Sequence, residues 1–280
     1  MVILSLRTGW ISEKNILRIR LLGPLEIENS GQYLTLTAPR ERAVLSLLLL
    51  EANRTVSIEQ LVEAIWGESP PATVRAQMQI CISAIRRSLT RIGASNVVET
   101  RPPGYQLCVA PEAFDTHSFD ALAREGAVAL QDNRLSAAET ALTGALDLWA
   151  GPLLADIDND VVESHRVSLA DRRLALVEEL HAIKLQRGAT VEVIAALRIL
   201  VTQNPLCESL HAQLMEALIL AGRQTDALTV YRRAARLLKD ELGIQPCRRL
   251  VTLMEQILDD GRASESTYAH GATWASTRLS

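Results

Sequence analysis

The chain has 280 residues, 48% of them hydrophobic and 4% aromatic. That is enough for two domains with buried cores, and it favours helix-rich packing over a sandwich or barrel. No run of about 18 apolar residues occurs, which excludes a spanning helix. The opening MVILSLRTGWI lacks a basic leader and is broken by Arg7, so it does not read as a signal peptide and a cytoplasmic protein is expected. The net charge of −4 is unevenly spread: residues 1–110 hold 12 Lys/Arg against 9 Asp/Glu, and residues 111–280 hold 17 against 24. A basic first part joined to an acidic remainder suits a nucleic-acid-facing module followed by a protein-facing one.

The first elements are strands. Leu17, Ile19 and Leu21 alternate with polar residues, as do Leu25 and Ile27, and NSGQ after them is a turn cluster. Pro39 opens a helix, where its missing N–H does no harm. The run RERAVLSLLLLEAN is apolar almost all round after its first turn, which predicts deep burial. In SIEQLVEAIWG, Ser57 and Gln60 have capping-box spacing and Gly67 stands where the helix should stop. The connector ESPPAT leads to a third helix with Thr73 as its expected N-cap. VVETRPPGYQLCVA reads as two strands around a Pro-Pro-Gly turn. Strands, three helices and a hairpin are the layout of a winged helix-turn-helix, whose third helix enters the major groove of DNA.

That third helix carries the chemistry. At about 100° per residue, Met78, Ile82, Ile85 and Leu89 share one direction, with Cys81 at its edge. Ala76, Ile80, Ser83 and Arg87 lie opposite, with Ala84 nearby. Gln79 and Arg86 flank them on one side and Gln77 on the other. A solvated helix of this length normally carries Glu–Lys pairs. From Thr73 to Gly93 there is no carboxylate, but there are Arg75, Arg86, Arg87 and Arg91. An acid-free face with small residues between Gln and Arg suits close approach to phosphate and base edges.

The second half contains a repeat. Asn133 is followed at +5, +9 and +12 by Ala138, Leu142 and Ala145. Gly188 is followed by Val193, Leu197 and Leu200, and Gly222 by Ala227, Tyr231 and Ala234. The last two starts are 34 residues apart, the tetratricopeptide period. Stacked helical hairpins are expected. Phe114 and Phe119 are expected to dock the two halves. The tail GRASESTYAHGATWASTRLS lacks an apolar period, and disorder is expected there.

Catalytic signatures are absent: no phosphate-binding loop, dinucleotide fingerprint, zinc-protease pair or nucleophile elbow occurs. Cys81, Cys108, Cys207 and Cys247 form no C-x-x-C pair and are expected to be buried small hydrophobes. The acidic cluster DIDND, Asp156 to Asp160, lacks the Gly and terminal Glu of a calcium loop and reads as a solvated loop. No enzyme activity, cofactor or metal is expected.

LRIRLLGPLEI, APRERAVLSLLLLEANRTVSIEQLVEAIWGESPPAT, MQICISAIRRSL and TRPPGYQL resemble the winged-helix domain of the Streptomyces antibiotic regulatory proteins, itself similar to the OmpR/PhoB type. ALDLWAGPLLADI and NPLCESLHAQLMEALILAGRQTDALTVYRRAARLLKDELGIQP resemble that family's bacterial transcriptional activation domain. The resemblance runs in one order from about Leu17 to Leu258. It implies a mainly α chain with a small β component: an extension over 1–16, a winged helix-turn-helix domain over 17–110, a tetratricopeptide-like all-α domain over 111–260 and a tail over 261–280. It further implies a sequence-specific activator of a biosynthetic operon, associated with the nucleoid. Such an activator binds promoter direct repeats in double-stranded DNA near the −35 region as a homodimer or side-by-side protomers, and it recruits RNA polymerase through its sigma factor and other subunits. The expected DNA contacts are Arg40, Thr73, Arg75, Gln79, Ser83, Arg86, Arg87, Arg101 and Tyr105. Ile80 and Cys81 stand where the family commonly has polar or aromatic residues. The alternative is a helical-repeat interaction module with a degenerate winged helix, to which a pI near 5.8 lends support.

Overall fold

The structure, a computed structural model, describes residues 17–259. The expected extension 1–16 and the tail lie outside the described residues. The described chain is mainly helical and divides into two compact units, with the division falling between Leu174 and Ala175.

The first unit begins with an antiparallel sheet of β1 (Leu17–Arg20), β2 (Glu26–Asn29) and β3 (Gln32–Tyr33), in the order β1-β2-β3. Alternation sends Ile19 and Ile27 into the core, where they face each other in register. The NSGQ turn is a two-residue hairpin loop with Ser30 and Gly31 both at positive φ, the twist that a tight hairpin needs. Helix α1 (Pro39–Leu50) starts at its proline and buries every residue from Val44 to Leu49, as its all-round apolar sequence requires.

Next comes a strand that sequence reading did not find, β4 (Thr55–Ser57). Helix α2 (Ile58–Trp66) follows with the expected capping box: the Gln60 amide donates to Ser57 Oγ at 3.1 Å, and the Ser57 amide donates to Gln60 Oε1 at 2.9 Å. Gly67 ends it at φ 59°. Helix α3 (Val74–Arg91) buries Met78, Cys81, Ile82, Ile85 and Leu89, the stripe given by its 3.6-residue period. Thr73 occupies the N-cap position, but its side chain does not bond the helix amides; it accepts from Gln77 Nε2 at 3.0 Å. The expected hairpin is β5 (Val98–Arg101) and β6 (Gly104–Leu107), and β4 adds to its other edge, giving the order β4-β6-β5. Gly104 lies opposite both Arg101 and Ser57. A Cβ there would stand 1.8 Å from the Val56 carbonyl oxygen, so only glycine permits this three-strand approach.

The unit continues through α4 (Asp115–Gln131), α5 (Leu135–Asp147) and α6 (Asp160–Gln186), the helix within which the chain divides. The winged helix and this following segment share one apolar core, which takes in Phe114, Leu153, Leu154, Ile157 and Val162. Phe114 bridges to Ile19, and Phe119 is fully buried edge-on to Trp149, with ring centroids 5.6 Å apart. The backbone is laced as well. The Leu21 and Leu22 amides donate to the Asp115 carboxylate at 2.9 Å. The carbonyls of Leu21, Leu22 and Gly23 accept from the amides of Leu154, Ala150 and Ala155 at 2.7 to 3.0 Å.

DIDND keeps its three aspartates exposed, as a solvated loop would, but it also docks. Asp156 accepts from the Leu25 amide and pairs with Arg42. Ile157 is buried. Asn159 Nδ2 donates to the Ala64 carbonyl at 2.7 Å, while its Oδ1 accepts from the Val161 amide in the first turn of α6. Arg166 holds the loop from behind, donating to the carbonyls of Leu153, Leu154 and Ile157 at 2.7 Å each. Sequence alone reads the four polar residues alike, whereas here Asp156 and Asn159 satisfy backbone groups while Asp158 and Asp160 stay exposed.

The second unit contains the end of α6, α7 (Thr190–Gln203), α8 (Glu208–Leu220), α9 (Gln224–Leu242) and a helical run over 248–259. The repeat starts are the left-handed turn residues: Gly188 at φ 83°, Gly222 at φ 72° and, in the first unit, Asn133 at φ 55°. The residues five positions on, Ala138, Val193 and Ala227, are fully buried. The cysteines are free; Cys81 is buried, but Cys108, Cys207 and Cys247 are only half-buried, because each falls at or beside the end of a helix or strand.

Candidate nucleic-acid interface

The buried stripe of α3 fixes which side the helix presents outward. Ala76, Gln79, Ile80, Ser83 and Arg87 are exposed, Ile80 to 67%. The Ser83 hydroxyl donates to the Gln79 carbonyl at 2.8 Å, which leaves its lone pairs outward as acceptors. Arg87 makes no hydrogen bond or ion pair with any described residue. The face therefore offers a cation, a carboxamide, a hydroxyl and a bare methyl-rich side chain along one line. These are the groups that read guanine, adenine and the thymine methyl in a major groove.

Arg40 belongs to the edge of this face. Its guanidinium lies over the Trp66 ring at 5.5 Å and Nη1 donates to Gln77 Oε1 at 3.3 Å. Together with the Gln77–Thr73 bond, this chain ties the starts of α1 and α3 to the end of α2. Trp66 and Gln77 support the face but were absent from the sequence-derived set. The Thr73–Gln77 spacing of four was legible on a helix; the Trp66 platform, 26 positions from Arg40 in a different helix, was not. Arg75 is exposed and pairs with Glu59 at 3.1 Å, a contact worth little in water and readily exchanged for phosphate.

Two expected contacts are placed differently. Arg86 Nε donates to the Val98 carbonyl and Nη2 to Thr100 Oγ1, each at 2.9 Å. Tyr105 is 6% exposed, in the core beneath Arg86, whose guanidinium lies 5.8 Å from its ring centre. Both residues join the recognition helix to the wing rather than lie open on the surface. The reason is register: Arg86 sits between the stripe and the outward line, on the side where β5 runs. Arg101, before the Pro102-Pro103 turn, is exposed at the tip of the wing and pairs with Glu99 at 2.7 Å.

Among the described residues no cluster of three or more His, Cys, Asp or Glu is placed to hold a metal ion, and no helix is long and apolar enough to cross a membrane. A winged helix-turn-helix with an acid-free outward recognition face, followed by helical hairpins, defines a DNA-binding transcription regulator. The comparisons agree. Residues 31–107 match the family model described as "Transcriptional regulatory protein, C terminal" and residues 114–258 match "Bacterial transcriptional activator domain". The chain is 34% identical to the regulatory protein DnrI of Streptomyces peucetius over 86% of this chain and 92% of that one. It is also 34% identical to the regulatory protein AfsR of Streptomyces coelicolor, over 95% of this chain and 27% of the relative, and so spans about a quarter of that longer protein. A solved structure of Mycobacterium tuberculosis EmbR in complex with a low affinity phosphopeptide has a TM-score of 0.83 at 32% identity, covering 95% of this chain and 73% of that one. The chain belongs to the Streptomyces antibiotic regulatory protein family of transcriptional activators, whose members are regulators rather than enzymes.

Proposed function

We propose that this protein activates a secondary-metabolite biosynthetic operon. It binds direct repeats near the promoter −35 region as side-by-side protomers and recruits RNA polymerase, sigma factor included. Residues 17–110 bind DNA and residues 111–260 serve activation, in the cytoplasm at the nucleoid. Helix α3 enters the major groove with its outward face. Gln79 and Arg87 read base edges, Ile80 meets a thymine methyl, and Arg40, Arg75 and Arg101 engage phosphates.

The observation that carries this reading is the exposed line of Ala76, Gln79, Ile80, Ser83 and Arg87 with no carboxylate anywhere on the helix. An interaction protein that had lost DNA binding would have no reason to keep that face free of acid. Footprinting of the purified chain on the promoters of its neighbouring genes tests the proposal. The expected result is adjacent protected repeats spaced by about one helical turn, roughly 10–11 base pairs. Protection that does not depend on sequence would reject it.

A further inference from the structure

A concave feature lies within the first unit, lined by none of the outward residues of α3. Between the end of α1, the connector before α4, and α6 is an open cavity of about 410 Å³, within the range of small-molecule sites. Its floor is apolar: Leu21, Leu49, Phe114 and Leu153 belong to the core, and Leu169 adds to them. Its walls are polar. His117 comes from α4, and His165, Ser168 and Arg172 come from α6, at positions that a 3.6-residue period places along one helix face.

These wall groups are not consumed by the fold. The side chains of His117, His165 and Ser168 make no hydrogen bond or ion pair with any described residue. Asp120 is the one carboxylate among the described lining residues, and it is taken by Arg172 Nη2. The Arg172 guanidinium also rests on the Phe119 ring at 5.7 Å, which fixes its position. A packing defect would be lined by apolar groups and stay dry. Here unpaired donors stand above an apolar floor, which is the composition of a ligand site.

We propose that this cavity binds a small amphipathic carboxylate. Its apolar body lies on the floor around Leu169, and its carboxylate accepts from His117, His165 and the free edge of Arg172. Because the lining comes from α1 and from Leu21, just after β1, on one side and from α4 and α6 on the other, the bound acid ties the winged helix to the segment that follows it.

Isothermal titration of the full chain with octanoate, and with its neutral counterpart octanamide, tests the site. The expected result is one saturable octanoate site per chain with Kd at or below roughly 1 mM. Octanamide should bind at least about tenfold more weakly, because charge-assisted hydrogen bonds are lost. Ser168→Trp, at an exposed position on the wall, should abolish binding by occluding the cavity. The double variant His117→Ala/His165→Ala should weaken it about tenfold, with the fold of each variant verified by circular dichroism. Equal binding of acid and amide, unaltered octanoate binding by folded Ser168→Trp, or no saturable heat would overturn the proposal.

Discussion

Arg86 Nε donates to the backbone carbonyl of Val98 at 2.9 Å, so the recognition helix and the wing are one piece. Arg87, the next residue, is exposed and without a partner among the described residues. Two adjacent arginines thus do different work, and their substitutions should separate. Arg86→Ala leaves the Val98 carbonyl unpaired and uncovers Tyr105. We expect a loss of about 1–2 kcal/mol in urea unfolding, discounted for partial exposure, and a loss of DNA affinity that is uniform across sequences. Arg87→Ala should leave stability unchanged within about 0.5 kcal/mol but cost about 1–3 kcal/mol of operator affinity with relaxed sequence preference. Equal unfolding midpoints for the two variants would contradict this division.

The wing offers a substitution that should improve binding. Arg101 is held by Glu99, an exposed carboxylate beside the position where phosphate would lie. Glu99→Gln removes the competing charge and frees Arg101. Affinity should rise at low salt, and the slope of log affinity against log salt should steepen by up to about one ion. Arg101→Ala should flatten it by a similar amount. An unchanged slope in both variants would place the wing tip away from the backbone.

Much of this was legible from local rules. The stripe on α3, the capping box at Ser57 and the repeat-start turns at Gly188 and Gly222 each depend on residues within one or two helical turns, and the structure matches them. What sequence reading missed depends on distant partners. Strand β4 exists because β6 pairs with it, and Val56 is its one buried residue. Arg86 and Tyr105 looked like surface candidates because residue type alone does not tell that one stacks on the other across the wing. The anchoring by Asp156 and Asn159 was not legible because their partners, Leu25, Arg42 and Ala64, lie 95 to 131 positions away.

Acid should weaken the fold through His181. The side chain is buried on α6 with no partner for Nδ1. Burial, then the nearby Lys184 ammonium, lowers its pKa below the ordinary 6.5, against a smaller opposing effect of Glu192. The folded chain therefore resists protonation while the unfolded chain does not. Stability from this site is complete above the unfolded value and is lost as pH falls through about 6.5 toward the lower folded value. His181→Leu should remove that dependence, so that urea midpoints measured between about pH 7 and pH 5 converge or flatten relative to the parent. A parent whose midpoint rises as pH falls over this window would reverse the sign.

The lacing between β1 and the segment after residue 110 decides where the chain can be cut. A fragment ending at Ala110 loses Asp115, which accepts both the Leu21 and Leu22 amides, and Asp156, which accepts the Leu25 amide. It also loses the amides of Ala150, Leu154 and Ala155 that serve the carbonyls of residues 21 to 23. Leu21 and Leu22, buried to within 2% of full enclosure, would be exposed with Ile19 and its bridge to Phe114 broken. Two leucines uncovered and several unpaired backbone groups amount to a loss on the order of 5 kcal/mol, comparable with the whole stability of a small domain. A fragment ending at Leu174 keeps all of these partners. We therefore expect residues 1–110 to unfold readily and bind operator weakly. Residues 1–174 should fold cooperatively and bind within about threefold of the full chain, a difference under 1 kcal/mol. At equal occupancy, verified by footprinting, the 1–174 fragment should give only basal in-vitro transcription if, as proposed, the helical repeats after it supply a surface for polymerase. Full activation by that fragment would assign polymerase contact to the first unit alone, and a stable, fully binding 1–110 fragment would show that the lacing is dispensable.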